Sequence, residues 1–243
     1  MKIYKKDKVG EIHESNNYGK VEIIEQISAK NMKIKFLEDG TILENKKYGS
    51  IIRGCVKNPC KREYYGVGYI GIGKYTHGNS LKAMKTWQNM MQRCYDIKYH
   101  EKYPTYREVT VCEEWKCFQN FAEWFENNYR PEFMKGWCLD KDLFSKDIKI
   151  YSPFSSCFLP QIINKLITHM HTTPIITDVK GRFYTKIYKG NKILRFSVFD
   201  TKEEAIFRYK EEKRNYCIEV LSQYKPLLPD NIVIKMQELI DLI

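Results

Sequence analysis

The residues with the most capacity for chemistry lie in "GWCLDKDLFSKDIKIYSPFSSCFLPQIINKL", residues 136–166. WCLDKDLF has strand character, so Asp140 and Asp142, two residues apart, are expected on one face of a strand. Paired carboxylates offer the hard oxygen donors that hold Mg or Mn. Lys141, between them, is expected on the opposite face. Read without its surroundings, LDKD is more simply a surface turn with paired charges. Zinc has less support. The eight cysteines (55, 60, 94, 112, 117, 138, 157 and 217) form no CxxC pair. The closest, 55/60 and 112/117, each enclose four residues, the outer edge of zinc-ligand spacing. The second pair sits in VCEEWKCF, which reads as a helix start with core residues. Reduced, mostly buried thiols are expected.

Several elements must position these groups, and the expected fold class is α+β. Residues 1–60 read as short strands: KVEIIEQI, MKIKFLE and TILENKKY alternate with period two, EDGT is a hairpin turn, and GSIIRGCV ends the run. The expectation is a small N-terminal antiparallel β-barrel. Residues 61–80, YYGVGYIGIGKYTHGNS and its lead-in, are a glycine-rich connector, either flexible or a backbone that approaches a partner closely. Their GxGxxGxG spacing lacks the helix and acidic residue of a dinucleotide site.

Residues 81–172 turn helical. SLKAMKTWQNMMQRCYD puts Ala83, Trp87, Met90, Met91 and Cys94 on one face. CEEWKCFQNFAEWFENNY, read as one helix after a loop, puts Trp115, Phe118, Phe121, Ala122 and Phe125 on one stripe. Both stripes read as core. SSCFLP is a second short strand, and Pro160 opens a helix in PQIINKLITHM. Residues 173–243 form a three-stranded sheet plus helix. GRFYTKIY and KILRFSVF are strands around a KGNK turn, DTKEEA is a capping box of Thr201 and Glu204, and DNIVIKMQELIDLI is a terminal helix.

The charge balance points to a polyanion: 41 Lys+Arg against 30 Asp+Glu, a formal net of +11. No apolar run approaches the ~20 residues that span a bilayer, so no membrane partner is expected. The N-terminus has basic residues without an apolar stretch, so no secretory signal is expected and the location expected is cytoplasmic, on DNA in a bacterial host cell.

Four segments in order, WQNMMQRCY, PTYREVTVCEEWKCFQNFAEWF, WCLDKDLF and YSPFSSCFLPQIINKL, resemble phage and mobile-element HNH (His-Me finger) endonuclease-like proteins over about residues 81–167. The resemblance implies a central ββα unit with flanking helices that clamps one divalent cation, Mg or Mn. It maps the first metal ligand onto Asp140, the helix ligand onto Asn164 and the general base onto Lys141, where the family carries histidine. Asp142 is a further carboxylate. GRFYTKIY, KILRFSVF and DTKEEAIFRY resemble the ethylene-response-factor (Apetala-type) DNA-binding domain, whose sheet lies in the major groove. That resemblance implies Arg182, Tyr184, Lys186, Lys192 and Arg195 as DNA-reading residues. Phe196-Ser197 stands where the module carries its glycine.

The substitution at Lys141 shapes the chemistry. An ordinary lysine, titrating near 10.4, is neutral in roughly one copy in a few thousand at pH 7. Using that fraction as a base adds about 4 to 5 kcal/mol to a barrier. Flanking carboxylates oppose any fall in that value. A base, a cation on the phosphate and a relic all remain open for Lys141, the cation being preferred. No histidine replaces it: His169 is five residues past Asn164 and off its helix face, and His171 is almost two turns away. His13, His77 and His100 are expected in loops or other domains.

The function expected is metal-dependent hydrolysis of one strand of double-stranded DNA, with the sequence read by the C-terminal sheet. The alternative is a catalytically degenerate binder of DNA, or of a host or phage protein, acting as a regulator or as an inhibitor of a host defence system.

Overall fold

The alternation of Val21 and Ile23, and of Met32, Ile34 and Phe36, folds as its period demands, into strands with one buried face. In this computed structural model, residues 7–144, 149–170, 173, 175–189, 192–195 and 198–243 are described. The chain divides into two compact units, Met1–Asp96 with Glu113–Ala122, and Ile97–Cys112 with Glu123–Ile243.

The first unit begins with β1 (Ile12–Ser15), β2 (Gly19–Ser28), β3 (Asn31–Phe36) and β4 (Ile42–Lys46), an antiparallel meander in that order. The EDGT turn between β3 and β4 places Gly40 at φ 74°, a left-handed conformation that suits glycine. The sheet is open where a barrel is expected from the sequence, and among the described residues no closed barrel forms. The reason lies in SIIRGCV. In place of a closing strand, α1 (Tyr48–Ile52) forms, and its Ile51 enters the core beside Phe36, Leu43 and Val56.

The glycine-rich segment packs within this unit. A Cβ on Gly68 would fall 2.9 Å from the Trp87 ring and 2.7 Å from the Met91 methyl. Gly71 has φ 76°, and a Cβ there would meet Cys117 Sγ at 2.5 Å. Tyr69 donates its N–H to the Lys116 carbonyl and accepts from the Phe118 N–H, both at 2.9 Å. The glycines thus serve a close backbone approach inside the unit. α2 (Leu81–Tyr95) buries Ala83, Trp87, Met90, Met91 and Cys94 as its period predicts, and Met84 as well.

The second unit opens with α3 (Ile97–Lys102), a 3-10 turn (Pro104–Tyr106) and β5 (Thr110–Val111). The single helix expected over residues 112–129 is broken. α4 (Glu113–Lys116), which belongs to the first unit, stops at Cys117, which bridges to Tyr69, and α5 (Phe118–Asn128), whose residues from Glu123 on belong to the second unit, resumes. The predicted stripe is nevertheless buried throughout. β6 (Cys138–Asp140), β7 (Ile150–Tyr151), β8 (Cys157–Leu159) and α6 (Gln161–Thr168) follow. β6 and β8 are antiparallel, with Asp140 opposite Cys157, while β7 pairs in parallel with β5. Phe158 of β8 is held by Trp124, Phe125 and Tyr129, with ring centroids 5.2–5.3 Å away.

β9 (Ile175–Thr177), β10 (Phe183–Lys189) and β11 (Lys192–Arg195) form an antiparallel sheet with β10 in the centre. α7 (Lys202–Tyr224) packs on β10. Its N-terminus is capped as the sequence predicts, Thr201 Oγ1 accepting the Glu204 N–H at 3.2 Å. A 3-10 turn (Lys225–Leu227) leads to α8 (Asp230–Asp241), which lays Ile232, Met236 and Ile240 inward and joins α7 through Arg214–Asp241 at 2.9 Å. Among the described residues, no helix is long and apolar enough to cross a membrane.

Candidate functional site

Asp140 is the last residue of β6 and is 5% exposed. Its Oδ2 accepts two backbone N–H groups, from Asp142 and Leu143, each at 2.9 Å. This Asx-type turn takes the chain out of the strand. The strand alternation expected through residue 142 therefore ends at Asp140, and residues 141–144 are a bend and turn. Lys141 does not face away from the carboxylates. It is 7% exposed, and its ammonium contacts Asp142 Oδ1 at 2.5 Å and lies 5.9 Å from the centre of the Tyr151 ring. Asp142 is half-exposed and is neutralised by that contact.

These contacts leave the Asp140 charge without a cation directly on it among the described residues. Burial above all, then the neighbouring Asp142 charge, pushes its carboxyl above the usual aspartate value. The Leu143 and Asp142 amides and Lys141 act the other way. Oδ1 has no hydrogen-bond partner among the described residues. Cys157, across the ladder, is also buried, and burial and the Asp140 charge push its thiol up, so it stays protonated. That state suits neither a nucleophile nor a zinc ligand.

Asn164 stands half-buried on α6, which packs against β6. The donors fit a hard cation in kind: one carboxylate oxygen on Asp140 and an amide oxygen on Asn164. Mg is commonly held by one or two such oxygens, with phosphate and water completing its shell. Among the described residues, no three His, Cys, Asp or Glu side chains cluster around a metal position. His169 is exposed at the C-terminal end of α6, and His171 lies outside the described residues. His13 falls within β1, in the other unit from Asp140, and His100 falls within α3 rather than in a loop.

The C-terminal sheet divides its side chains into two rows. Thr185 and Ile187 are buried, and Lys189 reaches α7 through Glu219 and the Tyr216 ring, so this row faces the helix. Tyr184, Lys186 and Tyr188 make up the other row. The Lys186 ammonium lies 5.4 Å from the centre of the Tyr188 ring, and Tyr188 is 57% exposed. Backbone register pairs Lys186 with position 195, and Lys189 with position 192. The side chains of Lys192 and Arg195, and residues 196–197, lie outside the described part of the structure. Arg182 is engaged by Asp178, whose Oδ2 accepts from Nε at 3.1 Å and Nη2 at 2.9 Å. Hydrogen bonds from Arg182 hold the Asp178 carboxyl below its usual value.

Three neighbours of these residues carry no signal of their contacts in the local sequence pattern: Tyr151 near Lys141, Cys157 opposite Asp140, and Tyr188 beside Lys186. The period-two rule places Tyr188, two residues beyond Lys186, on the same row but says nothing of the contact. Tyr151 and Cys157 reach their places through pairing across long loops, which no local pattern announces. Compared with models of known families, with curated proteins and with solved structures, the chain matches none.

Proposed function

We propose that this chain binds double-stranded DNA through the helix-free row of its C-terminal sheet. The observation that carries the reading is the row itself. Tyr184, Lys186 and Tyr188 alternate on the face of β10 that α7 leaves uncovered, on a chain with a net charge of +11. Lysine there supplies phosphate contacts and counterion release, and the tyrosines supply planar surface and hydroxyl donors. A salt titration of duplex binding by fluorescence anisotropy tests this. Lys186→Ala and Arg195→Ala are each expected to lower the slope of log K against log[salt] by about 0.9, with weaker binding at every salt concentration. Unchanged slopes for both variants would overturn the reading.

Hydrolysis of one DNA strand at β6, β8 and α6 is a second reading. The buried Asp140 carboxylate favours it, lacking a cation of its own among the described residues, at the end of β6 with α6 against that strand. A divalent cation bound there would stabilise charge on the scissile phosphate. In that reading Asp140 and Asn164 orient the ion through oxygen, and Lys141 offers a fixed positive charge beside the phosphate. DNA binding stands first because Asp140 Oδ2 is already spent on two backbone amides and Lys141 is committed to Asp142. Incubation with supercoiled plasmid and Mg or Mn separates the two. Nicked circles that vanish with Asn164→Ala establish hydrolysis, whereas plasmid left intact from pH 6 to 9 removes it.

A further inference from the structure

One end of the β6–β8 hairpin holds an unusual pairing of a rigid turn and an open cleft. The turn is Ser152–Ser156. Ser155 Oγ donates to the Ile150 carbonyl at 2.7 Å, Ser155 N–H donates to Ser152 Oγ at 3.1 Å, and Ser156 N–H donates to the Ser152 carbonyl at 3.0 Å. At its tip Phe154 is 93% exposed. This clamped turn spends its hydrogen bonds holding a phenyl ring in water, where burial would have stabilised it. The ring stands on the rim of a cleft of about 340 Å³. That volume falls in the range of small-ligand sites.

The lining defines the ligand. Phe144, Phe154 and Phe158 contribute aromatic surface, Asn128, Asn231 and Ser156 contribute neutral polar groups, and aliphatic side chains and prolines make up most of the rest. Among the described residues, no charged side chain lines the cleft. Asn128 donates its Nδ2 to the Trp124 carbonyl at 2.7 Å, which leaves its Oδ1 to accept from a ligand. Asn231 lies in the first turn of α8 with both amide atoms available among the described residues. Aromatic faces with amide donors and acceptors between them match a planar, uncharged heterocycle with a hydrogen-bonding edge. They do not match a carboxylate or an ammonium ligand, which would require an opposite charge.

We infer that this cleft receives a single unstacked nucleobase, stacked on Phe154 and read by Asn128 and Asn231. The source is a strand of the DNA that the C-terminal sheet is proposed to bind, and the inference rests on that reading for its partner. A base drawn out of a duplex, or already single-stranded, costs least at a mismatch or an open end.

The test uses the full chain and labelled octamers with identical phosphates: a thymine-bearing deoxyoligonucleotide, the same chain with abasic sites, the matching ribo-oligomer, and free thymidine monophosphate as competitor. Wild type is expected to bind the base-bearing octamer about tenfold tighter than the abasic one, the effect of one base on an aromatic ring. Phe154→Ala is expected to abolish that preference, and Phe154→Tyr to retain it. The ribo-oligomer and the free nucleotide reveal whether sugar or backbone contributes. Equal affinity for base-bearing and abasic octamers, or a preference that survives Phe154→Ala, overturns the inference and assigns the ring to another partner. The duplex titration fails independently. Duplex binding that depends on Lys186, with no base preference in octamers, sinks the cleft alone. Base preference without duplex binding sinks the sheet reading alone.

Discussion

Trp87→Ala is expected to destabilise the first unit by about 4 to 5 kcal/mol, the upper end of what truncating a core aromatic costs. The indole is fully buried on α2, with Tyr64 edge-on at 4.7 Å and Phe118 tilted at 5.6 Å. Its Nε1–H donates to the Trp115 carbonyl at 2.6 Å. Truncation removes the rings' shared contact, leaves a cavity under Gly68, and strips a buried carbonyl of its donor. Trp87→Phe separates these losses. It keeps an aromatic ring against Tyr64 and Phe118 but not the donor, and about 2 kcal/mol is expected. Chemical denaturation followed by far-UV circular dichroism measures both. A Trp87→Ala loss under about 1 kcal/mol, well below the usual cost of emptying an indole site, would mean that the glycine-rich segment does not pack on α2. Gly68→Ala should show the same contact from the other side, since its Cβ has no room beside the indole.

That packing decides between the two readings the glycine-rich segment left open, flexibility and close backbone approach. The helical stripe of Ala83, Trp87, Met90, Met91 and Cys94 was legible because burial on one face imposes a period, and the period is local. The Thr201–Glu204 cap was legible for the same reason, since its partners lie three residues apart. The glycines at 66–73 carried no such signal. A glycine chosen to let backbone approach an indole looks like one chosen for flexibility until the indole's position is known. The open N-terminal sheet was missed because SIIRGCV satisfies strand alternation and a single helical turn about equally. Which one forms depends on whether Ile51 can reach the core of β2 and β3. The candidate site divides along the same line. LDKD drew attention to Asp140 and Lys141, but their geometry depended on a side chain competing for backbone amides. Strand periodicity assumes that Asp140 leaves the backbone alone; in the fold it caps the turn and ends the strand.

The same capping role sets the expected behaviour of Asp140 substitutions. Asp140→Ala deprives the Asp142 and Leu143 amides of their acceptor, the second of them in a fully buried residue. A net loss of about 2 to 3 kcal/mol is expected, because relief of the buried charge offsets part of the cost of two unpaired donors. Asp140→Asn keeps a carbonyl oxygen for both amides and removes the charge, so it should melt above wild type at neutral pH. The pH dependence follows from the raised carboxyl value. With a folded value above the ordinary one of about 3.9, the folded state holds the proton more tightly than the unfolded state. The associated stability is therefore fully present below about pH 4 and is lost as pH rises through the folded value. Asparagine has no such loss, so its advantage should be smallest in acid and grow toward neutrality. Thermal melts from pH 4 to 8 in chelator measure this. A gap that widens instead as pH falls would mean that a cation already pairs with the carboxylate, and the view of Asp140 as a buried, unneutralised group would be wrong. Repeating the series with Mg or Mn adds a second readout. An ion held by Asp140 stabilises wild type in proportion to its binding and leaves Asp140→Asn unmoved. A carboxylate that serves the turn alone leaves the two proteins equally indifferent to metal.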